Sequence, residues 1–125
     1  MMSFTLSRIR LELARTPDFP EGSSQHGYEL IAPLAGDGHV DAETWRHRKE
    51  ACTVTRFWGE APEERGQLVH RHGGWGFDYG GGDGEDELFF RLDRHVFVPG
   101  AYVTLTERDG KQYPFRVIEV TPATP

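Results

Sequence analysis

Turn-forming residues divide this chain into short segments, and that division limits the possible folds more than any other feature. The 125 residues include 15 glycines and 8 prolines, residue types that interrupt helices and end strands. The segments between the turns are rich in β-branched and aromatic residues, which favour strands. We therefore expect many short strands rather than a helix bundle. The turn signals lie at residues 16–24, 36–38, 59–66, 73–74, 80–86, 99–100 and 109–110.

The strongest of these signals is the pair Asp109-Gly110. It predicts a tight hairpin between strands over residues 101–107 and 111–120, because glycine supplies the positive φ that such turns need. Pro114 lies within the second strand and lacks the N–H that a central strand donates. We therefore expect part of that strand to lie at a sheet edge.

The first strand changes the phase of its alternation. Phe4 and Leu6 fall on one face of an extended segment, whereas Ile9, Leu11 and Leu13 fall on the other. A single bulge between Leu6 and Ile9 would bring all five side chains to one face. A helix that pairs Leu6, Ile9 and Leu13 is the alternative.

One helix is expected within residues 41–51, with Asp41 as its N-cap and Trp45 as its apolar anchor. The predicted fold is mainly β, a small antiparallel barrel or sandwich of about seven or eight short strands with this one helix. We expect a single domain over residues 1–125 that ends in a short frayed tail at 121–125.

The composition excludes several classes of protein. A formal net charge of −6 disfavours general binding to nucleic acid or to an anionic membrane. Arg8 and Arg10 interrupt the only apolar segment near the start, and no apolar run is long enough to span a membrane. A single cysteine, Cys52, excludes an internal disulfide framework and fits a reducing compartment. We therefore expect a soluble cytoplasmic protein in which Cys52 is a buried, inert thiol.

His70 and His72 form the first candidate site. Side chains two apart on a strand share a face, with Cα atoms roughly 6–7 Å apart, so both imidazoles could bind one divalent transition metal. Asp78, on the next strand, could add a carboxylate. The alternative is that both histidines face solvent, and we favour that alternative because strand histidines outside a known motif are mostly surface residues. Further ligand candidates are Glu87, Asp93, His95 and His47.

The second candidate is an acidic loop. Residues 81–89 match the consensus G-G-x-G-x-D-x-U-x and so resemble one turn of a calcium-binding β-roll. That resemblance implies calcium, with Asp86 as the aspartate of the consensus. A single copy lacks the partner turn, so we favour the alternative of a mobile loop, in which neighbouring carboxylates repel one another. The carboxylates are Asp83, Glu85, Asp86 and Glu87.

The third candidate is an aromatic run in which Trp75, Phe77 and Tyr79 share one strand face. Exposed rings would form a stacking platform for a ligand such as a sugar, a base or a peptide. If the same rings face inward they are core residues, and we favour this alternative because a small barrel needs bulky inward side chains.

These observations leave three functional hypotheses. We expect a non-enzymatic binding or interaction module for a partner protein or a small ligand, in a small soluble β-domain. The first alternative is a metal-dependent β-barrel enzyme that uses His70, His72 and Asp78. The second is a nucleic-acid-binding small barrel, supported by basic residues but opposed by the net charge. These basic residues are Arg46, Arg48, Lys49, Arg56 and Arg71.

Overall fold

The fold was obtained from a computed structural model, which describes residues 6–71, 74–79, 88–90, 96–106 and 110–123. Within these ranges the chain forms eight antiparallel strands and one short α-helix, which confirms the predicted mainly β class. The strands are β1 (Leu6–Leu13), β2 (Ser23–Pro33), β3 (Thr53–Trp58), β4 (Glu64–Arg71), β5 (Gly74–Asp78), β6 (Leu88–Phe90), β7 (Tyr102–Thr106) and β8 (Gln112–Pro122). The helix α1 (Ala42–His47) leads into a 3₁₀ turn (Lys49–Ala51).

The strands form one sheet in the order β6-β5-β4-β3-β2-β1-β8-β7. This sheet curls into a half-barrel, so that the terminal strands β6 and β7 come within 8 Å of each other at their Cα atoms. Among the described residues no backbone pairing joins these two strands. Of the two predicted architectures, the barrel-like one is therefore the observed one.

One face of the curled sheet carries most of the hydrophobic core, which we call the interior face. Side chains alternate between the two faces of a strand, so every second residue reaches the interior. Phe97, from the loop before β7, is also buried, and its N–H donates to the Gly38 carbonyl over 2.8 Å. The buried interior residues on strands include Ile9, Leu11, Leu13, Tyr28, Leu30, Val54, Leu68, Trp75, Phe77, Val103, Leu105, Phe115 and Val117.

The prediction of a bulge between Leu6 and Ile9 is wrong. These residues pair in regular register with Pro33 through Leu30 of β2, so Leu6 faces the outside of the sheet, where both it and its partner Pro33 are buried. The irregularities of β1 lie further along, between Arg10 and Leu11 against β8 and between Glu12 and Leu13 against β2. The alternation alone could not show where pairing slips, because pairing depends on the partner strand.

The structure confirms the predicted helix, both its position and its N-cap residue, Asp41. An Asp41 carboxylate oxygen accepts the N–H of Glu43 over 3.2 Å, and its other oxygen accepts the Thr44 hydroxyl over 2.7 Å. Trp45 is buried, and its indole Nε1 donates to the carbonyl of Leu68 on β4 over 2.9 Å. The helix is thus fixed to one end of the interior face.

The last strand confirms one prediction and corrects another. β8 lies between β1 and β7, but its residues 112–114 pair with β7 alone, so part of the strand lies at an edge, as Pro114 predicted. Pro114 is tolerated there because β1 ends at Leu13; the Pro114 carbonyl still accepts the Ala14 N–H over 2.9 Å. The tail is not frayed over 121–123, since β8 continues to Pro122 and the Ala123 N–H donates to the Leu6 carbonyl over 2.8 Å. Residues 124–125 lie outside the described residues.

The predicted hairpin between β7 and β8 is confirmed. The two strands pair from Tyr102↔Arg116 to Thr106↔Gln112. Gly110 has φ +81° and is exposed, a conformation that other L-residues rarely adopt.

None of the helices described here is both long and apolar enough to cross a membrane.

Candidate functional site

The predicted metal site does not assemble from the residues that the structure describes. His70 pairs with Trp75 across β4 and β5, and Asp78 pairs with Gln67. Paired residues share a face and neighbours alternate, so His70 lies on the interior face and Asp78 on the outer face. The two side chains therefore cannot bind one ion. His72 lies outside the described residues, and those that are described contain no cluster of three or more His, Cys, Asp or Glu that could hold a metal.

His70 is also not the surface residue that we favoured. It is half-buried, with its ring centroid 4.3 Å from that of Trp75 and 5.8 Å from that of Trp45. The two tryptophans meet edge to face at 5.6 Å. We call these three residues the aromatic end of the interior. The buried Trp75 Nε1 has no hydrogen-bond partner among the described residues.

The predicted aromatic platform belongs to the interior face. Trp75 and Phe77 are fully buried, and Tyr79 is partly buried against the core. Phe77 lies 5.2 Å from the ring of Tyr28. These contacts fit the core alternative, because rings buried in this way offer no face to a stacked ligand.

The candidate calcium loop, with Asp83, Glu85, Asp86 and Glu87, lies outside the described residues. The further metal candidates Asp93 and His95 lie outside them too. His47 lies within the described residues, on α1, and its Nε2 is 3.6 Å from the Glu43 carboxylate. It therefore contacts a residue of its own helix rather than the region of His70.

The basic residues of the nucleic-acid hypothesis do not all lie on one surface, since Arg46, Arg48 and Lys49 are exposed at α1 whereas Arg56 lies on the interior face. Arg46 is paired with Glu43 over 3.0 Å, and the Lys49 ammonium lies 5.2 Å from the centroid of the Trp45 ring. Arg56 points into the interior.

Cys52 is buried next to the aromatic end, with its carbonyl accepting the Leu68 N–H over 3.0 Å. Burial is the main cause that raises the pKa of the Cys52 thiol to about 11. At neutral pH the residue is a protonated thiol and a poor nucleophile.

A groove on the outer face is a better candidate site. We call it the β1–β8 groove, because the end of β1 and the middle of β8 form its floor, together with Tyr102 of β7 and the chain between β1 and β2. Its volume is about 660 Å³, within the range of roughly 300–1,000 Å³ typical of ligand sites. The lining residues are Glu12, Leu13, Ala14, Arg15, Glu21, Gly22, Ser23, Ser24, Tyr102, Arg116 and Ile118.

The charged side chains of the β1–β8 groove differ in whether they form ion pairs. The Glu12 carboxylate is bound by Arg10 over 2.7 Å. Arg15 and Arg116 are exposed, and neither makes an ion pair within the part of the chain that the structure describes. Among the described residues the groove therefore presents two cations and one carboxylate, that of Glu21, without an ion-pair partner.

The same groove contains exposed apolar surface. Three large hydrophobic side chains are exposed in the described ranges, and two of them, Tyr102 (63% exposed) and Ile118 (40% exposed), line this groove. Tyr102 pairs with Arg116 across β7 and β8, so apolar and cationic groups lie side by side.

Ser23 lies at one wall of the groove, and His26, which does not line the groove, contacts its hydroxyl. β2 bulges here, since Glu12 pairs with Gly27 but the next residue, Leu13, pairs with Ser23. Three residues therefore lie between Ser23 and Gly27 with no partner in β1, and the bulge brings the Ser23 Oγ to 2.7 Å from the His26 Nδ1. Only glycine fits at position 27, because a Cβ there would collide with the Leu11 carbonyl oxygen.

The His26 ring is packed between aromatic residues. Its centroid lies 4.7 Å from that of Phe19 and 4.8 Å from that of Trp58. Burial, and next the positive charge of Arg56, lower the pKa of His26 below its ordinary value of 6.5. The imidazole is therefore neutral at pH 7 and its Nδ1 can accept a proton.

Arg56 completes this second region of the interior. Its side chain is 16% exposed, lies 3.5 Å from the Glu64 carboxylate, and has its guanidinium carbon 4.3 Å from the centroid of the Trp58 ring. We call His26, Arg56, Trp58 and Glu64 the cationic end of the interior. It lies where β3 ends and β4 begins, away from α1.

Sequence reasoning missed the groove and the Ser23–His26 contact. The spacing of Ser23 and His26 is uninformative, because serine and histidine three residues apart are common in loops. The sequence contained a weak signal for the exposure of Tyr102. If Val103 and Leu105 face inward, the alternation of side chains along the strand places Tyr102 on the outer face.

Comparison of the chain with protein-family models, curated proteins and solved structures found no match in any of the three. The fold and the groove therefore define a class rather than a family, a small antiparallel half-barrel with a polar groove on its outer face.

Proposed function

We propose that this protein is a binding module whose β1–β8 groove takes an extended segment of a partner protein that carries a carboxylate. The observation that carries this proposal is the placement of two unpaired arginines beside two exposed apolar side chains in one groove.

The charges support a carboxylate as the recognised group. The whole chain has a net charge of −6, so a long polyanion is repelled, whereas a single carboxylate meets Arg15 and Arg116 at short range. An arginine binds a carboxylate with two parallel hydrogen bonds, which gives direction as well as attraction. Glu21 adds a place for a donor of the partner, such as a lysine or an amide N–H.

The apolar surface supports a peptide rather than a small anion. Tyrosine contributes a large contact area at little cost in conformational entropy and is enriched where proteins bind one another. A partner side chain that covers Tyr102 and Ile118 would remove their exposed surface from water. A free inorganic anion could not make that contact.

The two alternatives have less support. The metal-dependent enzyme needs a shared ion, but His70 and Asp78 face opposite sides of the sheet. The nucleic-acid binder needs a broad cationic surface, whereas the groove offers two arginines and also carries the carboxylate of Glu21.

A reducing compartment, and the cytoplasm in particular, is the proposed location, because the chain has one cysteine and that cysteine is buried. We also propose that residues 1–125 act as a single domain, since the strands on both sides of β1 belong to one sheet.

The test is selection of a phage-displayed library of short random peptides on the purified protein. We expect the selected peptides to be enriched in Asp and Glu beside an apolar residue. Their affinity should fall at least about tenfold in Arg116→Ala and in Tyr102→Ala, equivalent to about 1.4 kcal/mol.

The matched control is Arg8→Ala, which removes an exposed arginine of β1 that does not line the groove. This variant should bind as the wild type does. Selection without acidic enrichment, or equal binding by Arg116→Ala, would show that the groove does not recognise carboxylate-bearing segments.

A further inference from the structure

The contact between Ser23 and His26 has the geometry of a nucleophile and its base. Their Oγ–Nδ1 distance is 2.7 Å, within the range of a strong hydrogen bond to a hydroxyl. Ser23 pairs with Leu13 of β1 and His26 pairs with Trp58 of β3, so both residues belong to β2 and the contact does not depend on a free loop.

Two hydrogen bonds involve the Ser23 hydroxyl. The Gln25 N–H donates to the Ser23 Oγ over 3.1 Å, which occupies one lone pair of the oxygen. In the tautomer that carries its proton on Nε2, the His26 Nδ1 accepts the hydroxyl hydrogen. A neutral imidazole accepts it there, and His26 is neutral at pH 7 because burial and Arg56 hold its pKa below the ordinary value.

Ser23 is also placed where a substrate could reach it. It lines the β1–β8 groove together with Arg15 and Arg116. Positive charge beside a nucleophile stabilises the oxyanion that forms when a carbonyl is attacked. Ser24, the next residue, lines the same groove, but its carbonyl is bound by Arg10 and no histidine contacts its hydroxyl in the described structure.

We propose that Ser23, with His26 as its general base, is a nucleophile that accepts an acyl group from an ester bound in the β1–β8 groove. This inference goes beyond peptide binding and does not rest on it, because a small ester can reach Ser23 whether or not a peptide binds.

The reaction balances with water as its only co-reactant. The Ser23 Oγ attacks the ester carbonyl carbon while its proton moves to the His26 Nδ1. The C–O bond to the alcohol then breaks, and the departing alkoxide takes that proton. Water, deprotonated by His26, later attacks the acyl-serine, releases the carboxylic acid and restores the serine.

The first experiment uses an alkyl fluorophosphonate as the probe. Its P–F bond is replaced by a bond from phosphorus to the Ser23 Oγ, and fluoride leaves. We expect one adduct per chain, located at Ser23 by peptide mass mapping. Ser23→Ala should abolish the adduct, whereas Ser7→Ala, the matched control on β1 outside the groove, should label at the wild-type rate.

The second experiment measures the role of the base. His26→Gln should slow labelling by about 100-fold, the lower range of what a general base contributes. His26→Phe keeps an aromatic ring between Phe19 and Trp58 and should slow labelling equally. Thermal unfolding of each variant establishes that it is folded.

Release of 4-nitrophenol from 4-nitrophenyl acetate should show a burst equivalent to one acyl group per chain, absent in Ser23→Ala. No adduct on the wild type, equal labelling of Ser24, or full labelling of folded His26→Phe would each overturn the proposal.

Discussion

The two ends of the interior face each place a histidine among aromatic rings, yet the surroundings give the two histidines different properties. At the aromatic end His70 contacts Trp45 and Trp75 and has no charged partner within the described residues. At the cationic end His26 contacts Phe19 and Trp58, faces Arg56, and bonds to a serine hydroxyl.

The difference follows from where each histidine lies in the barrel. His70 lies beside fully buried residues of β5, where helix α1 covers the end of the sheet. His26 lies at a bulge, where β2 leaves regular pairing with β1, and it contacts Ser23, which lines the groove. Regular strand pairing therefore produces core, whereas the bulge re-aims a side chain toward a site.

The largest expected effect is on the free energy of unfolding, when the tryptophan at each end of the interior is replaced by alanine. Trp75→Ala should lower the free energy of unfolding by about 3–5 kcal/mol, because its fully buried side chain leaves a cavity. Trp58→Ala should cost about 1–3 kcal/mol, because Trp58 is only half-buried. Urea denaturation of both variants measures the difference, and equal losses would show that the two ends contribute equally to the core.

A smaller effect is expected from the ion pair at the cationic end. Glu64→Gln removes the carboxylate 3.5 Å from Arg56 and should cost about 1 kcal/mol, since both groups are partly reached by water. The loss should shrink in 1 M NaCl, at which the Debye length is about 3 Å. The control is Glu43→Gln, which removes the well-exposed ion pair with Arg46. If both variants lose the same free energy of unfolding, the position of the Arg56–Glu64 pair at the cationic end does not strengthen it.

The smallest effect is a dependence of stability on pH. The pKa of His26 is lowered in the folded protein by burial and then by Arg56, relative to its ordinary value of 6.5. As the pH falls below that value, the unfolded chain binds a proton that the folded chain does not, so the free energy of unfolding decreases.

Urea denaturation between about pH 7.5 and pH 5 should show this decrease, and it should be weaker in His26→Gln. NMR titration of the His26 ring in Arg56→Gln should give a pKa closer to 6.5. A stability curve that His26→Gln leaves unchanged would assign the pH dependence to other groups.

Much of the fold could be predicted because its signals are local. The cap at Asp41 acts on the N–H of Glu43 two residues away, and the turn at Gly110 depends on that residue's own φ. The strand segments follow from residue types and alternation. The slip in β1 could not be placed in this way, because it depends on how β2 and β8 pair with that strand.

The candidate site was harder to predict because it depends on which faces meet. The His-x-His pattern drew attention to His70, yet the register of β4 against β5 turns Asp78 to the other side of the sheet. Cross-strand register is a property of two segments far apart in sequence, and a shift of one residue reverses every face.

The sequence by itself determined a chain of short antiparallel strands with one capped helix, since turn chemistry, capping and alternation act over a few neighbouring residues. Only the tertiary structure decided that Trp75 is core, that Arg56 points inward, and that Ser23 meets His26 at the edge of a groove. The physical reason is that burial and side-chain contact are set by the register and curl of the whole sheet, to which each segment contributes only one strand.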